Sequence, residues 1–298
     1  MSFTLSTLFQ QIINGLSLGS VYALIAVGYS LVYSILLFSN FAHGGFLVVG
    51  GYACYFLLTR WGYGTAVSMV GALAASGVVA VVTERLAYKP IRERTSMTLY
   101  LLIASMGVNI VIENIFVVAV GGRVRALPQN TFPTGVFSLG GGVTVSASDI
   151  LSLAVAVLFL GALQLFLSRT RWGLAIRAAA CDLRTAGLMG IDVTFLIGIV
   201  FFVAGLLAAV GGIFLSVRYT LYPQLGAITI KAFVAAVIGG LGSLPGAVVG
   251  SLILGLAEML TAGFISSQMR DLVVYSLLVL MLLVRPAGLF GKQVSDKI

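Results

Sequence analysis

Charge is what this chain has least of. Only 9% of its 298 residues are Asp, Glu, Lys or Arg, against roughly 25% in a soluble domain. The first 59 residues carry none at all, and Arg60 is the first charged side chain. No positive region precedes the first apolar segment, so a secretory signal is not expected. Histidine occurs once, at His43, with no Cys or carboxylate at ligand spacing, which argues against a metal site. The two cysteines, Cys54 and Cys181, have neither metal nor disulfide spacing. Neither HExxH nor GxSxG is present, and there is no Walker A loop. Gly288–Lys292 has a faint likeness to one, but its glycines are too close and Gln293 replaces the Ser/Thr that would meet Mg²⁺. These absences exclude the common hydrolytic, metal and nucleotide chemistries. If ATP drives this protein, another chain must hydrolyse it.

What fills the space is apolar. Hydrophobic residues make up 60% of the chain, and 36 glycines suit close helix contact in lipid. Nine apolar stretches stand out: Leu8–Leu36, Gly44–Leu58, Thr65–Val82, Met97–Val120, Asp149–Leu167, Thr194–Val217, Ile228–Leu241, Gly246–Ala262 and Leu272–Val284. A span needs roughly 20 residues, so the shorter ones must be tilted, broken or re-entrant. β-barrel alternation is not sustained anywhere. The expected fold is all-α, a single polytopic membrane helix bundle over residues 1–298 with roughly eight to nine membrane segments.

The net charge of +8 could suggest nucleic acid, but the basic residues flank apolar spans, the pattern of topology and of lipid headgroup contact. Glu84–Arg94, Arg169–Asp192 and the tail with Arg285, Lys292 and Lys297 hold 11 of the 17 Lys and Arg. All three are expected in the cytoplasm. Parity then requires Ile228–Leu241 and Gly246–Ala262 to be separate passes, and places the N-terminus outside and the C-terminus in the cytoplasm. The loop Gly121–Ser148 falls outside, either as a docking surface or as a passive connector.

One polar loop interrupts the apolar pattern, Arg169–Asp192, reading RTRWGLAIRAAACDLRTAGLMGID. Leu174–Ala186 can form a helix, with Ile176, Ala180 and Leu183 on one face and Arg177, Cys181 and Arg184 on another. At 1.5 Å per residue it is roughly 20 Å long, too short and polar to cross. It lies flat at the interface, either to tidy the loop or to offer a face to a soluble partner.

Four further features stand at membrane depth. Asn40-Phe-Ala-His43-Gly44-Gly45 is a polar turn, either a broken helix lining a pathway or an interfacial turn reaching water. Asn109 and Glu113 share a helix face, with Asn114 beside them, facing a polar interior, a partner helix, the outer vestibule or headgroups. Gly239, Gly240, Gly242, Ser243 and Pro245, followed by the Gly246–Gly250 step, make a continuous helix unfavourable. Either a transport-related break or tight packing accounts for them. Glu258 is isolated in an apolar run and is expected to be paired internally.

Five segments together resemble the LivH-type permease subunit of branched-chain amino-acid ABC importers. They are NGLSLGSVYALIAVGYSLVYSI from Asn14, NFAHGGFLVVGGY from Asn40, ERLAYKPIR from Glu84, AFVAAVIGGLGSLPGAVVGSLILGLAE from Ala232 and RPAGLFG from Arg285. The resemblance implies a bacterial inner-membrane complex with a second permease, two cytoplasmic ATPase subunits and a periplasmic binding protein. This chain would bind no cofactor, and ATP and Mg²⁺ would be used by partner subunits. Residues 169–192 would then be the coupling-helix loop that seats in the ATPase. The coupling role falls on Arg177, Ala178, Asp182, Leu183, Ala186, Gly187, Gly190 and Ile191. Cys181 departs from the pattern, standing where relatives often carry an acidic residue, which removes a charge from that face. Asn40, His43, Asn109, Glu113, Gly239, Gly240, Gly242 and Ser243 are the candidates for the translocation pathway. Amide, urea and sugar permeases of the same class remain alternatives. So do a proton-coupled secondary transporter using Glu113 or Glu258, and a subunit that only scaffolds partners.

Overall fold

A computed structural model describes residues 5–95, 97–128, 131–140 and 142–291. Lys292 and Lys297 of the basic tail lie outside them. Each of the nine apolar stretches is a helix. Seven are long and apolar enough to cross a membrane: α1 (Leu5–Leu36), α3 (Thr65–Thr83) with its continuation to Arg94, α5 (Thr98–Val120), α6 (Ala147–Arg169), α9 (Val193–Tyr219), α11 (Leu244–Phe264) and α12 (Arg270–Val284) with the 3₁₀ turn that leads into it from Ser267. Two are shorter: α2 (His43–Thr59), and α10 (Thr229–Gly239) preceded by a 3₁₀ turn at Pro223–Ile228.

Three local structures add to the sequence expectation or depart from it. The helix begun at Thr65 does not stop at the basic segment. It runs through a π-helical turn, Glu84–Tyr88, into α4 (Lys89–Arg94). That turn carries Glu84 inward, where it is fully buried and held by Arg92 at 3.0 Å and Arg85 at 3.6 Å. The loop after α5 is not structureless. It contains an antiparallel hairpin, β1 (Val136–Gly140) and β2 (Val143–Ser146), turning through Gly142 at φ +83°. The loop after α6 holds two helices, α7 (Arg171–Cys181) and α8 (Leu183–Leu188), where one was expected.

α1 is the axis of the bundle. From Gly15 to Leu36 it is almost wholly buried, whereas α5, α6 and α12 expose most of their surface. Close approach is bought with glycine, because lipid supplies no hydrophobic drive between helices and contact must be tight to hold. A Cβ on Gly255 of α11 would lie 2.5 Å from the Gly19 nitrogen and 2.6 Å from the Gly15 carbonyl of α1. On Gly50 of α2 it would lie 2.5 Å from the Ala209 Cα of α9. Ser76 of α3 sits where three helices meet, its hydroxyl 2.8 Å from both the Phe46 and Gly205 carbonyls. Gly255→Val should therefore cost about 3 kcal/mol, the upper end of ordinary overpacking. Thermal unfolding in detergent checks this. Gly161→Val, at a position open on all sides, should leave the midpoint unchanged.

Contacts between connecting segments fall into two sets. Arg125 and Leu221 exchange backbone hydrogen bonds at 2.8 Å. The Gln10 side chain pairs with both backbone groups of Thr144 at 2.8 Å, tying the start of α1 to β2. Ser17 donates to Asp149 at 2.6 Å, and Arg218 joins the same carboxylate at 3.4 Å. In the second set, the segment after α12 closes the end of α10. Leu289 N donates to Ile238 O at 2.9 Å, and Phe290 N to Gly239 O at 2.8 Å. Arg85, on the π-helical turn, is 3.6 Å from where a Cβ on Gly198 of α9 would lie.

Candidate functional site

The loop from Arg169 to Asp192 is built by three caps in succession. Thr170 accepts from Gly173 N at 3.0 Å and starts α7. Asp182 is extended at φ −157° and accepts from Arg184 N at 2.8 Å and Thr185 N at 3.1 Å, starting α8. Asp192 accepts from Phe195 N at 3.0 Å and starts α9. The single helix expected over Leu174–Ala186 is divided because the Asp182 carboxylate satisfies amides that a continuous helix would bond to carbonyls. Bonds from the Thr185 hydroxyl and amide hold the Asp182 carboxyl below its ordinary range. The cap is therefore intact at neutral pH and is lost only as pH falls through that lowered value.

α7 packs on α6, α1 and α9 through Gly173, Ile176 and Ala179. Ala180, expected to share a face with Ile176, is exposed, whereas Ala179 is buried beside Ile176. Of the candidate coupling residues, Arg177, Ala178, Asp182, Gly187 and Gly190 are exposed. Leu183 and Ile191 are half-buried, and Ala186 is buried, supporting the loop from within. Gly190 has φ +88°, which ends the segment. Sequence reasoning missed Leu174, Leu188 and Met189, which are 62%, 81% and 80% exposed and give the loop an apolar surface. The Leu188-Met189 pair in a polar loop was the available signal.

A second constellation surrounds the start of α2. Asn40 is buried; its Oδ1 accepts from Tyr88 OH at 2.8 Å and from Ala42 N at 3.2 Å. Phe41 N donates to Ser105 Oγ of α5 at 3.1 Å. His43 is wholly buried, edge-on to Tyr29 and Phe46, with its ring against Gly28 of α1. Neither Asn40 nor His43 reaches water. One residue on, Gly44 meets Gly226 of the 3₁₀ turn so closely that a Cβ on either would lie 2.6 or 2.7 Å from the other's carbonyl oxygen. Asn109 Oδ1 closes the third side, 3.2 Å from the same Cβ position on Gly44, while its Nδ2 donates to Glu113 at 2.8 Å. Asn114 is exposed and bonds back to its own helix at Ile110 O. The two short helices, α2 and the one entered from Pro223, thus meet beside a half-buried Asn–Glu pair.

The glycine cluster lies further along α10 and has its own local explanation. Gly239 packs on Gly246 with no room for a Cβ, and Gly240, at φ +108°, lies against Ala287 and Gly291. Gly242, at φ +81°, faces Tyr33 and Ser34 of α1. Ser243 caps α11 by accepting from Gly246 N at 3.2 Å. Glu258 is paired, to Tyr22 OH at 3.0 Å and Lys231 Nζ at 2.9 Å.

Comparison with known proteins follows the same extent of chain. A family profile described as branched-chain amino acid transport system / permease component matches residues 11–282. The high-affinity branched-chain amino acid transport system permease protein BraD of Pseudomonas aeruginosa is 39% identical over 97% of both chains. LivH of Escherichia coli K12, described in the same words, is 39% identical over 97% of both. A probable branched-chain amino acid transport permease protein LivH of Methanocaldococcus jannaschii is 29% identical over 91% of this chain and 89% of its own. The chain therefore belongs to the family of branched-chain amino acid transport system permease components.

Proposed function

We propose that this chain is the membrane permease subunit of an ATP-driven importer of branched-chain or related amino acids. A binding protein delivers substrate at one face of a bacterial inner membrane, and two ATPase subunits act at the other. A second permease, identical or homologous, completes the pathway. The observation that carries this reading is the family membership over nearly the whole chain, whose relatives are named as high-affinity branched-chain amino acid permeases. Arg177, Ala178, Asp182, Leu183, Gly187, Gly190 and Ile191, with Leu188 and Met189 added, form the face that the ATPase engages; Ala186 supports it from below. Asn40, His43, Asn109 and Glu113 belong to the pathway, where α2 meets the turn before α10. Gly239, Gly240, Gly242 and Ser243 hold the adjoining α10–α11 turn.

ATP does work on such a subunit only if it binds the outward-open and inward-open states unequally. The paired helices α7 and α8 are where that difference enters this chain. The basic residues favour a cytoplasmic loop, with the α5–β hairpin side outside. Cys181 makes the orientation testable without mutation, because it is exposed while Cys54 is buried. A membrane-impermeant maleimide should label inverted vesicles stripped of ATPase subunits and not intact cells, and adding the ATPase subunits back should shield the thiol. Labelling of intact cells would place the loop on the opposite side and remove it from any ATPase.

A further inference from the structure

A polar cavity and an apolar groove meet at Tyr275 of α12. The cavity, about 460 Å³, lies between the ends of α9, α10 and α12 and the middle of α1 and α11. Its charges balance in sign: Lys231 and Arg270 against Glu258 and Asp271. Lys231 Nζ bonds Glu258 at 2.9 Å and Asp271 at 2.8 Å, and Glu258 is further held by Tyr22. Arg270 Nε is buried with no hydrogen-bond partner among the described residues, and the Asp271 side chain is 66% exposed. The Arg270 guanidinium also lines the cavity and has no carboxylate bonded to it among the described residues. The groove is one exposed face of α12, from Leu272 to Val284, apolar except for Ser276 and the Tyr275 hydroxyl. At 1.5 Å per residue it is about 18 Å long, enough for the roughly 15 Å depth of one leaflet.

We infer that these two features are one site for a phospholipid whose headgroup carries both a phosphate and a primary ammonium, as phosphatidylethanolamine does. The phosphate meets Arg270 and Lys231; the ammonium meets Asp271; an acyl chain lies along α12. The balanced charge selects against a purely anionic headgroup, which would leave Asp271 and Glu258 facing like charge. The continuity at Tyr275 selects lipid over a free amino acid, which could use the cavity but not the groove. The site stands independently of the transport reading.

Native mass spectrometry of the protein, purified in mild detergent with its accompanying subunits, tests this. Phosphatidylethanolamine should be retained at about tenfold or more higher affinity than phosphatidylglycerol, the range expected of hydrogen bonds to charged groups. Asp271→Asn should erase that preference. Ser276→Trp, which fills the exposed groove without touching the buried charges, should lower retention of both lipids. Equal retention of the two lipids by the unaltered protein would overturn the inference. So would displacement of the bound lipid by millimolar leucine, which would give the cavity to the transported solute.

Discussion

Leu188→Asp and Ala178→Asp should each lower uptake about a hundredfold while leaving the chain inserted and folded. Both side chains are exposed, Leu188 by 81%, so neither substitution costs internal packing. Any loss must then arise at a surface that this chain alone does not cover. A hot-spot contact is worth about 3 kcal/mol, and that corresponds to roughly a hundredfold. The measurement is uptake per copy of membrane-inserted protein, with retention of the ATPase subunits on purification read alongside. Ala186→Asp is the contrasting case. It is buried, so it should damage the loop itself and reduce the amount of folded protein. Normal uptake by the two exposed variants would mean that nothing essential docks on α7 and α8. Asp182 is a poorer probe, because its carboxylate builds α8 and its loss confounds structure with docking.

Gly44→Val should abolish uptake as well, for a different reason. The added Cβ would lie 2.6 Å from the Gly226 carbonyl oxygen, which is backbone and cannot swing aside. Either α2 or the 3₁₀ turn must move, and Asn109 with it. Overpacking of this kind costs about 3 kcal/mol, again roughly a hundredfold in any equilibrium that needs the two short helices in contact. Gly44→Ala adds the same Cβ against the same backbone oxygen and should give most of that loss. Normal uptake by the valine variant would show that the short helices need not meet this closely during transport. The same substitution at Gly107 of α5, open on all sides, should be silent unless a partner helix lies there.

The membrane architecture was legible because lipid imposes a harsh compositional filter. Each of the nine apolar stretches became a helix, and Gly44–Leu58 and Ile228–Leu241, both too short to span, became the two short helices. The polar features were harder to read. Asn40 and His43 could equally have reached water from sequence; burial between α1, α3, α5 and α9 depends on tertiary contacts that no local pattern encodes. The partner of Glu258 was unreadable for the same reason, lying 27 residues back at Lys231 and 236 back at Tyr22. The break at Asp182 was within reach, since Asp is a favoured N-cap residue. There, helix-favouring alanines on one side and Leu183 to Ala186 on the other obscured it. The β hairpin is only four or five residues per strand, too short for alternation to stand out beside nine long apolar runs.

The most direct test is uptake of a labelled branched-chain amino acid into proteoliposomes, with and without ATPase subunits, binding protein and ATP. Accumulation against a gradient should occur only when all are present, and a proton gradient should not substitute for ATP. Concentration of the solute by this polypeptide alone, with no nucleotide supplied, would contradict the view that its driving force enters from a partner through α7 and α8.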